Sequence, residues 1–174
     1  MARQTPHKQM ILKFNFNSFP QPEMQPRKII ILENIRSAYN VWNCIRTADA
    51  LGWEVRLTGY SPSPVENPKV KKTSLGAEEQ VQLKQFNYST DAIQEAKRLW
   101  ISVIAAEITP EAVSLANYKR EEKQSLAIIF GNEVEGVLPQ TLKAVDEVVF
   151  IPMQGVKESL NIGQSSAIMM RELR

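Results

Sequence analysis

An α/β fold on a mostly parallel sheet, with helices on both faces, is what this 174-residue chain predicts, and three observations carry that reading. Apolar runs alternate with amphipathic stretches along most of the length, the order in which strand–helix–strand units build a parallel sheet. The runs are continuously apolar, as in Ile29-Ile30-Ile31-Leu32, and so read as strands buried on both faces. Two of them stop abruptly at polar, flexible loops: Leu126 to Phe130 runs into Gly131-Asn132-Glu133-Val134-Glu135-Gly136, and Val148 to Met153 runs into Gln154 to Ser159. Open α/β sheets hold their ligands at such strand ends.

Residues 1–27 carry Pro6, Pro20, Pro22 and Pro26 and read as an N-terminal arm, with Phe14, Phe16 and Phe19 fastening part of it to the body. Residues 28–174 read as one domain. Within it the first strand is followed by a helix from Asn40 to Leu51, with Asn40 as its N-cap and Gly52 as its stop. Glu54 to Thr58 is the second strand. The Ser-Pro-Ser-Pro and Asn-Pro steps between Tyr60 and Pro68 demand a loop. Val81 to Phe86 is a short strand, and Ser89 or Thr90 caps a helix running through Leu99. Ile101 to Ala106 is a strand, after which Thr109-Pro110-Glu111 opens a helix with proline at its first position. Strand Leu126 to Phe130, helix Leu138 to Val145, strand Val148 to Met153 and helix Leu160 to Leu173 complete the series.

Composition excludes several chemistries. The chain has one cysteine, Cys44, and one histidine, His7, in the polar arm. No intramolecular disulfide is possible, a zinc site built from the protein is not expected, and neither a Ser-His-Asp nor a Cys-His centre is indicated. No apolar run approaches membrane-spanning length and no signal-peptide core opens the chain, so a cytoplasmic protein without membrane or metal is the expectation. A net charge of +2 is compatible with an anionic partner without arguing for one.

Four constellations carry polar chemistry. Asn34 to Asn40 sits where a strand turns into a helix, and Arg46 lies more than a turn along that helix. From pattern alone Arg46 is either a solvated face residue or a clamp on an anion. Gly131-Asn132-Glu133 with Gly136 is a loop whose backbone a ligand approaches closely, or a simple turn. It is neither a P-loop nor a dinucleotide fingerprint. Glu158-Ser159-Leu160-Asn161 precedes the last helix, where Ser159 and Asn161 are caps or site residues. The basic run Lys69, Lys71 and Lys72 is a solvated face, or an RNA contact if it falls beside the site.

Taken in order, these segments resemble the SpoU-type (TrmH-like) RNA 2′-O-ribose methyltransferases of the SPOUT superfamily, from about Lys28 to Leu173. Asn40-Val41 with Ile45-Arg46-Thr47-Ala48-Asp49 is similar to the first family motif, Lys72 to Glu78 to its Lys-Thr-Ala-Leu-Gly-Ala-Glu segment, and Phe130 to Val137 to the second motif. Ile151-Pro152-Met153 with Glu158 to Ile162 is similar to the third. The chain departs from the pattern at Trp42 and Asn43, where the family often has Gly-Ala, and at Gly163 and Gln164, where Ser-Val is more usual. The resemblance implies a C-terminal trefoil knot and a homodimer through the knot region. It implies S-adenosylmethionine held by Gly131, Asn132, Gly136, Ile151, Met153, Leu160 and Asn161. It also implies a catalytic group of Arg46, Asn40, Glu133, Ser159 and Asn161, acting on a ribose 2′-hydroxyl in tRNA or rRNA. Members of the family are thought to use the motif-one arginine as base. Because arginine holds its proton so firmly, the conservative role is to grip a phosphate and orient the hydroxyl for in-line transfer. An RNA-binding module of the same fold with little or no catalysis is the alternative, favoured by Trp42 and Asn43.

Overall fold

The computed structural model describes residues 25–64, 81–121 and 123–174. Most of the expected arm (1–24), the basic run Lys69 to Lys72 and the Lys72 to Glu78 segment lie outside the described residues.

Seven strands form one sheet: β1 (Lys28–Glu33), β2 (Glu54–Thr58), β3 (Leu83–Phe86), β4 (Ser102–Ala106), β5 (Val113–Ser114), β6 (Leu126–Phe130) and β7 (Glu147–Phe150), in the order β3-β2-β1-β6-β4-β7-β5. Every pairing between them is parallel. Helices α1 (Ala38–Leu51) and α4 (Ile162–Glu172) cover one face; α2 (Ser89–Arg98) and the single turn α3 (Pro139–Leu142) cover the other. The uninterrupted apolar runs follow from this arrangement. Ile30, Leu32, Ile128 and Phe130 pack with Val41, Cys44, Ile45, Met169 and Met170 on the first face. Their chain neighbours Ile29, Ile31, Ala127 and Ile129 pack with Ala92, Ile93 and Ala96 on the second. Each such large side chain contributes about 1.5–3 kcal/mol by leaving water.

Register decides where the loops meet. Leu32 pairs with Phe130, Phe130 with Ala106, and Ala106 with Val149. Strands β1, β6, β4 and β7 therefore end in line, and the segments that follow them emerge side by side at one edge.

The structure differs from the expected elements in several places, and β7, expected to run to Met153, ends at Phe150. No helix opens at Pro110. A single turn, closed by Ala112 N–H donating to Thr109 O at 3.1 Å, leads into β5, which pairs with the otherwise open edge of β7. Edge pairing takes the backbone groups a helix would have used. Helix α1 begins two residues before Asn40: Ser37 is the N-cap, its side chain accepting from Asn40 N–H. Ser89 does not cap α2, whose N-cap is Tyr88; its hydroxyl instead meets Thr58 Oγ1 at 2.6 Å. The helix expected to run on to Val145 is one turn, begun by Pro139.

Candidate functional site

The loop after β6 is a closed turn held by its own asparagine. Asn132 N–H donates to Gly136 O at 3.0 Å, and Gly136 N–H donates back to Asn132 O at 2.9 Å. Asn132 Oδ1 accepts from Val134 N–H (2.8 Å) and Glu135 N–H (3.0 Å). Its Nδ2 donates to Asn34 O and to the Tyr60 hydroxyl, both at 2.8 Å. All four hydrogen-bonding positions of that carboxamide are used. Asn132 thus shapes the loop and ties it to the β1 exit. Gly131 has no room for a side chain, because a Cβ there would collide with the backbone of Gly136 and Val137. Gly136 has φ +70°, and a Cβ would run into the Glu107 carboxylate.

Glu133 reaches across to the start of α1. Its carboxylate accepts from Arg36 N–H (3.0 Å), Ser37 N–H (3.2 Å) and Asn40 Nδ2 (2.8 Å). Burial alone would raise this carboxyl, but the donors on Arg36, Asn40 and Ser37 outweigh it and hold the group below the usual carboxylate range. Asn40 Oδ1 in turn accepts from Asn161 Nδ2 at 3.2 Å. Asn161 is the N-cap of α4, its Oδ1 accepting from Gly163 N–H at 2.8 Å. Three of the sequence-predicted residues, drawn from the β6 exit, from α1 and from the start of α4, are thereby joined in one row: Glu133, Asn40, Asn161.

Between the exits of β4, β6 and β7 opens a cleft of about 730 Å³. Gly131 to Gly136, Ile151, Met153, Ser159, Leu160 and Asn161 all line it, so every cofactor-binding candidate reaches the same space. Apolar walls come from Phe130, Leu142, Ile151, Met153 and Met169, and Glu107, Glu133, Glu135 and Glu158 supply negative charge. A cleft of this size, with apolar walls and a few polar groups, suits a small organic ligand, and its carboxylates favour one that carries positive charge. The tight approach at Gly131 fits a ligand lying against bare backbone. Among the described residues no group of three or more His, Cys, Asp or Glu is arranged to hold a metal ion, and no helix is long and apolar enough to cross a membrane.

Arg46 and Asn40, both on α1, are absent from the cleft lining. Arg46 is exposed, with its guanidinium carbon 5.3 Å from the centroid of the Trp42 ring. The Tyr39 ring also meets Trp42, with centroids 5.3 Å apart and planes tilted by 44°. The loop residues therefore share one cleft, while Arg46 and Asn40 stand outside its lining.

Three participants were not singled out from the sequence. Buried Glu33, at the end of β1, accepts from Leu138 N–H (2.9 Å) and from the Thr141 hydroxyl (2.6 Å), anchoring the turn that follows the glycine loop. Thr141 is its buried partner. Glu107 follows β4, and its Oε2 accepts from Val137 N–H at 2.9 Å. Glu33 and Glu107 each lie where an apolar run ends, so the rule that points to the β6 and β7 loops applies to them equally.

Residues 27–171 match the SpoU rRNA Methylase family. The chain is 30% identical over 150 residues to the 23S rRNA (guanosine-2′-O-)-methyltransferase RlmB of Neisseria meningitidis serogroup B, covering 86% of this chain and 59% of that protein. It is 32% identical over 144 residues to the tRNA (guanosine(18)-2′-O)-methyltransferase of Borreliella burgdorferi, covering 82% of this chain and 64% of that one. The chain spans about three fifths of the length of these curated relatives. The solved structure of an AdoMet-bound rRNA methyltransferase from Sinorhizobium meliloti superimposes with a TM-score of 0.78, covering 87% of this chain and 57% of that one; at 22% identity the likeness is one of fold.

Proposed function

The chain belongs to the SpoU rRNA methylase family, and from that premise we propose that it is an S-adenosylmethionine-dependent RNA methyltransferase acting on a ribose 2′-hydroxyl in tRNA or rRNA. The observation that carries the reading is the row Glu133–Asn40–Asn161, which couples the α1 start to the wall of the cleft. The two curated relatives, by name 2′-O-methyltransferases of rRNA and of tRNA, support the substrate class.

In this reading Gly131, Gly136, Ile151, Met153 and Leu160 hold the cofactor against bare backbone and apolar walls, and Asn132 keeps the loop in shape. When bound, S-adenosylmethionine supplies an electrophilic methyl group. The chain's own residues bind and orient. Arg46 grips a phosphate of the target nucleotide and fixes its 2′-hydroxyl for in-line approach, a positioning effect that rests on pre-set geometry. Asn40, Glu133 and Asn161 hold α1, and with it Arg46, at a set angle to the cleft, and Ser159 shapes the rim.

The proposal includes a homodimer through the C-terminal, knotted region and a cytoplasmic setting. Support for the dimer is the apolar surface that α1 and the α4 region turn outward: Tyr39 is 64% exposed, and Ile168 and Leu160 are exposed as well. With Arg46 outside the cleft of its own protomer, a site assembled from two copies accounts for both observations.

The test is transfer of tritiated methyl groups to bulk RNA by wild type and Arg46→Ala, with cofactor binding measured separately. Loss of transfer with cofactor binding retained is expected. Near wild-type transfer by Arg46→Ala sinks the role of Arg46, and no transfer by wild type favours the second reading, an RNA-binding module without catalysis. The observation favouring that second reading is the seating of Arg46 on Trp42.

A further inference from the structure

The cleft carries acids without a matching base. Glu107, Glu133, Glu135 and Glu158 line it, and among the described lining residues there is no lysine, arginine or histidine, in a chain of net charge +2. These four carboxylates are not equivalent. Glu133, Glu135 and Glu158 are all exposed, where water and salt screen their charge. Glu107 is partly buried and sits at the end of β4, between the β6 and β7 exits.

Its geometry is fixed from both sides. Oε2 accepts from Val137 N–H at 2.9 Å, and Oε1 accepts from Ile108 N–H at 2.9 Å. The carboxylate occupies space that Gly136 leaves open, since a Cβ at that position would collide with it. Two neutral backbone donors hold the group without cancelling its charge, and each oxygen keeps a further acceptor position. A fixed negative charge therefore stands in the cleft wall.

Resting on the proposed methyltransferase reading, we propose that Glu107 is a specificity-determining residue, one that makes the cleft prefer the cationic sulfonium cofactor over the neutral thioether left after methyl transfer. The two ligands differ by one methyl group and one positive charge. Contacts to their shared adenosine and amino-acid parts cancel when the affinities are divided, whereas attraction to a nearby carboxylate does not. Glu107 lines the cleft itself, so a ligand that fills the cleft lies in the field of its carboxylate. For a partly buried carboxylate, Coulomb attraction across a cleft is a sizeable fraction of a binding free energy. The consequence is product release assisted by loss of charge.

Calorimetric titration of wild type and Glu107→Gln with S-adenosylmethionine and with S-adenosylhomocysteine tests this. Wild type is expected to favour the sulfonium, and Glu107→Gln to lower the affinity ratio by about fivefold. A general loosening of the loop weakens both ligands together and leaves the ratio where it was. Should Glu107→Gln bind neither ligand, Glu107→Ala reads the same quantity, and its ratio must fall likewise. A wild-type ratio of one, a ratio unchanged in either variant, or loss of both ligands in both variants overturns the assignment. Wild type that binds neither ligand overturns the methyltransferase reading as well.

Discussion

Replacing Glu133 with glutamine tests whether one carboxylate holds the start of α1 to the cleft. Oxygen Oε2 accepts from Arg36 N–H at 3.0 Å, and Oε1 accepts from Ser37 N–H at 3.2 Å and Asn40 Nδ2 at 2.8 Å. An amide offers one oxygen and one NH₂ group. Whichever way it turns, at least one donor meets another donor. Hydrogen bonds to charged groups are worth about 1.5–3 kcal/mol each, but Glu133 is exposed, and solvent screening reduces the net cost to about 1 kcal/mol. For a domain of this size that lowers the melting temperature by about 2–4 °C. The pH dependence follows from the depressed carboxyl. A group whose folded pKa lies below its unfolded one adds stability that is present above the unfolded value and is lost as pH falls through the folded value. The gap between wild type and Glu133→Gln should therefore be full at pH 7 and close below about 4.5, the ordinary value of this group. Thermal melts of both proteins from pH 7 to pH 3.5 measure it. An absent gap at pH 7, or one that persists unchanged at pH 3.5, refutes the reasoning.

Gly131→Ala should abolish binding in the cleft and cost about 1–3 kcal/mol, because the added Cβ collides with the Gly136–Val137 backbone; ligand titration with a parallel melt checks both. Glu33→Ala strands Leu138 N–H and the buried Thr141 hydroxyl, at about 2–4 kcal/mol, read by urea unfolding; an unchanged midpoint would contradict the anchoring role. Burial pushes the Cys44 thiol up to about 12, against a smaller opposing effect of Ser166, so an aromatic disulfide reagent at pH 8 should label Cys44 only after denaturation.

Much of the sheet was legible because its strands are buried on both faces. Ile29 to Leu32 and Leu126 to Phe130 need no partner to be recognised, since nothing but a two-sided core makes four or five consecutive apolar residues economical. Gly131 and Gly136 were legible for a similar reason: few other residues tolerate those approaches and angles. Where local and long-range demands competed, sequence misled. Asn40 has the chemistry of a cap, yet Ser37 caps the helix and Asn40 turns to Glu133, ninety-three residues away. The proline at 110 has the look of a helix start, yet the open edge of β7 captures the chain as β5.

Sequence by itself determined the order of strands and helices apart from β5, the two loops at strand ends and the residue types they carry, because these depend on local pattern and composition. Only the tertiary structure decided that Glu133, Asn40 and Asn161 share one row, that Glu107 joins the cleft, and that Arg46 stands apart on Trp42. Those relations depend on strand register and on the packing of α1 against α4, which set distances between residues about a hundred positions apart and leave no trace in the spacing along the chain.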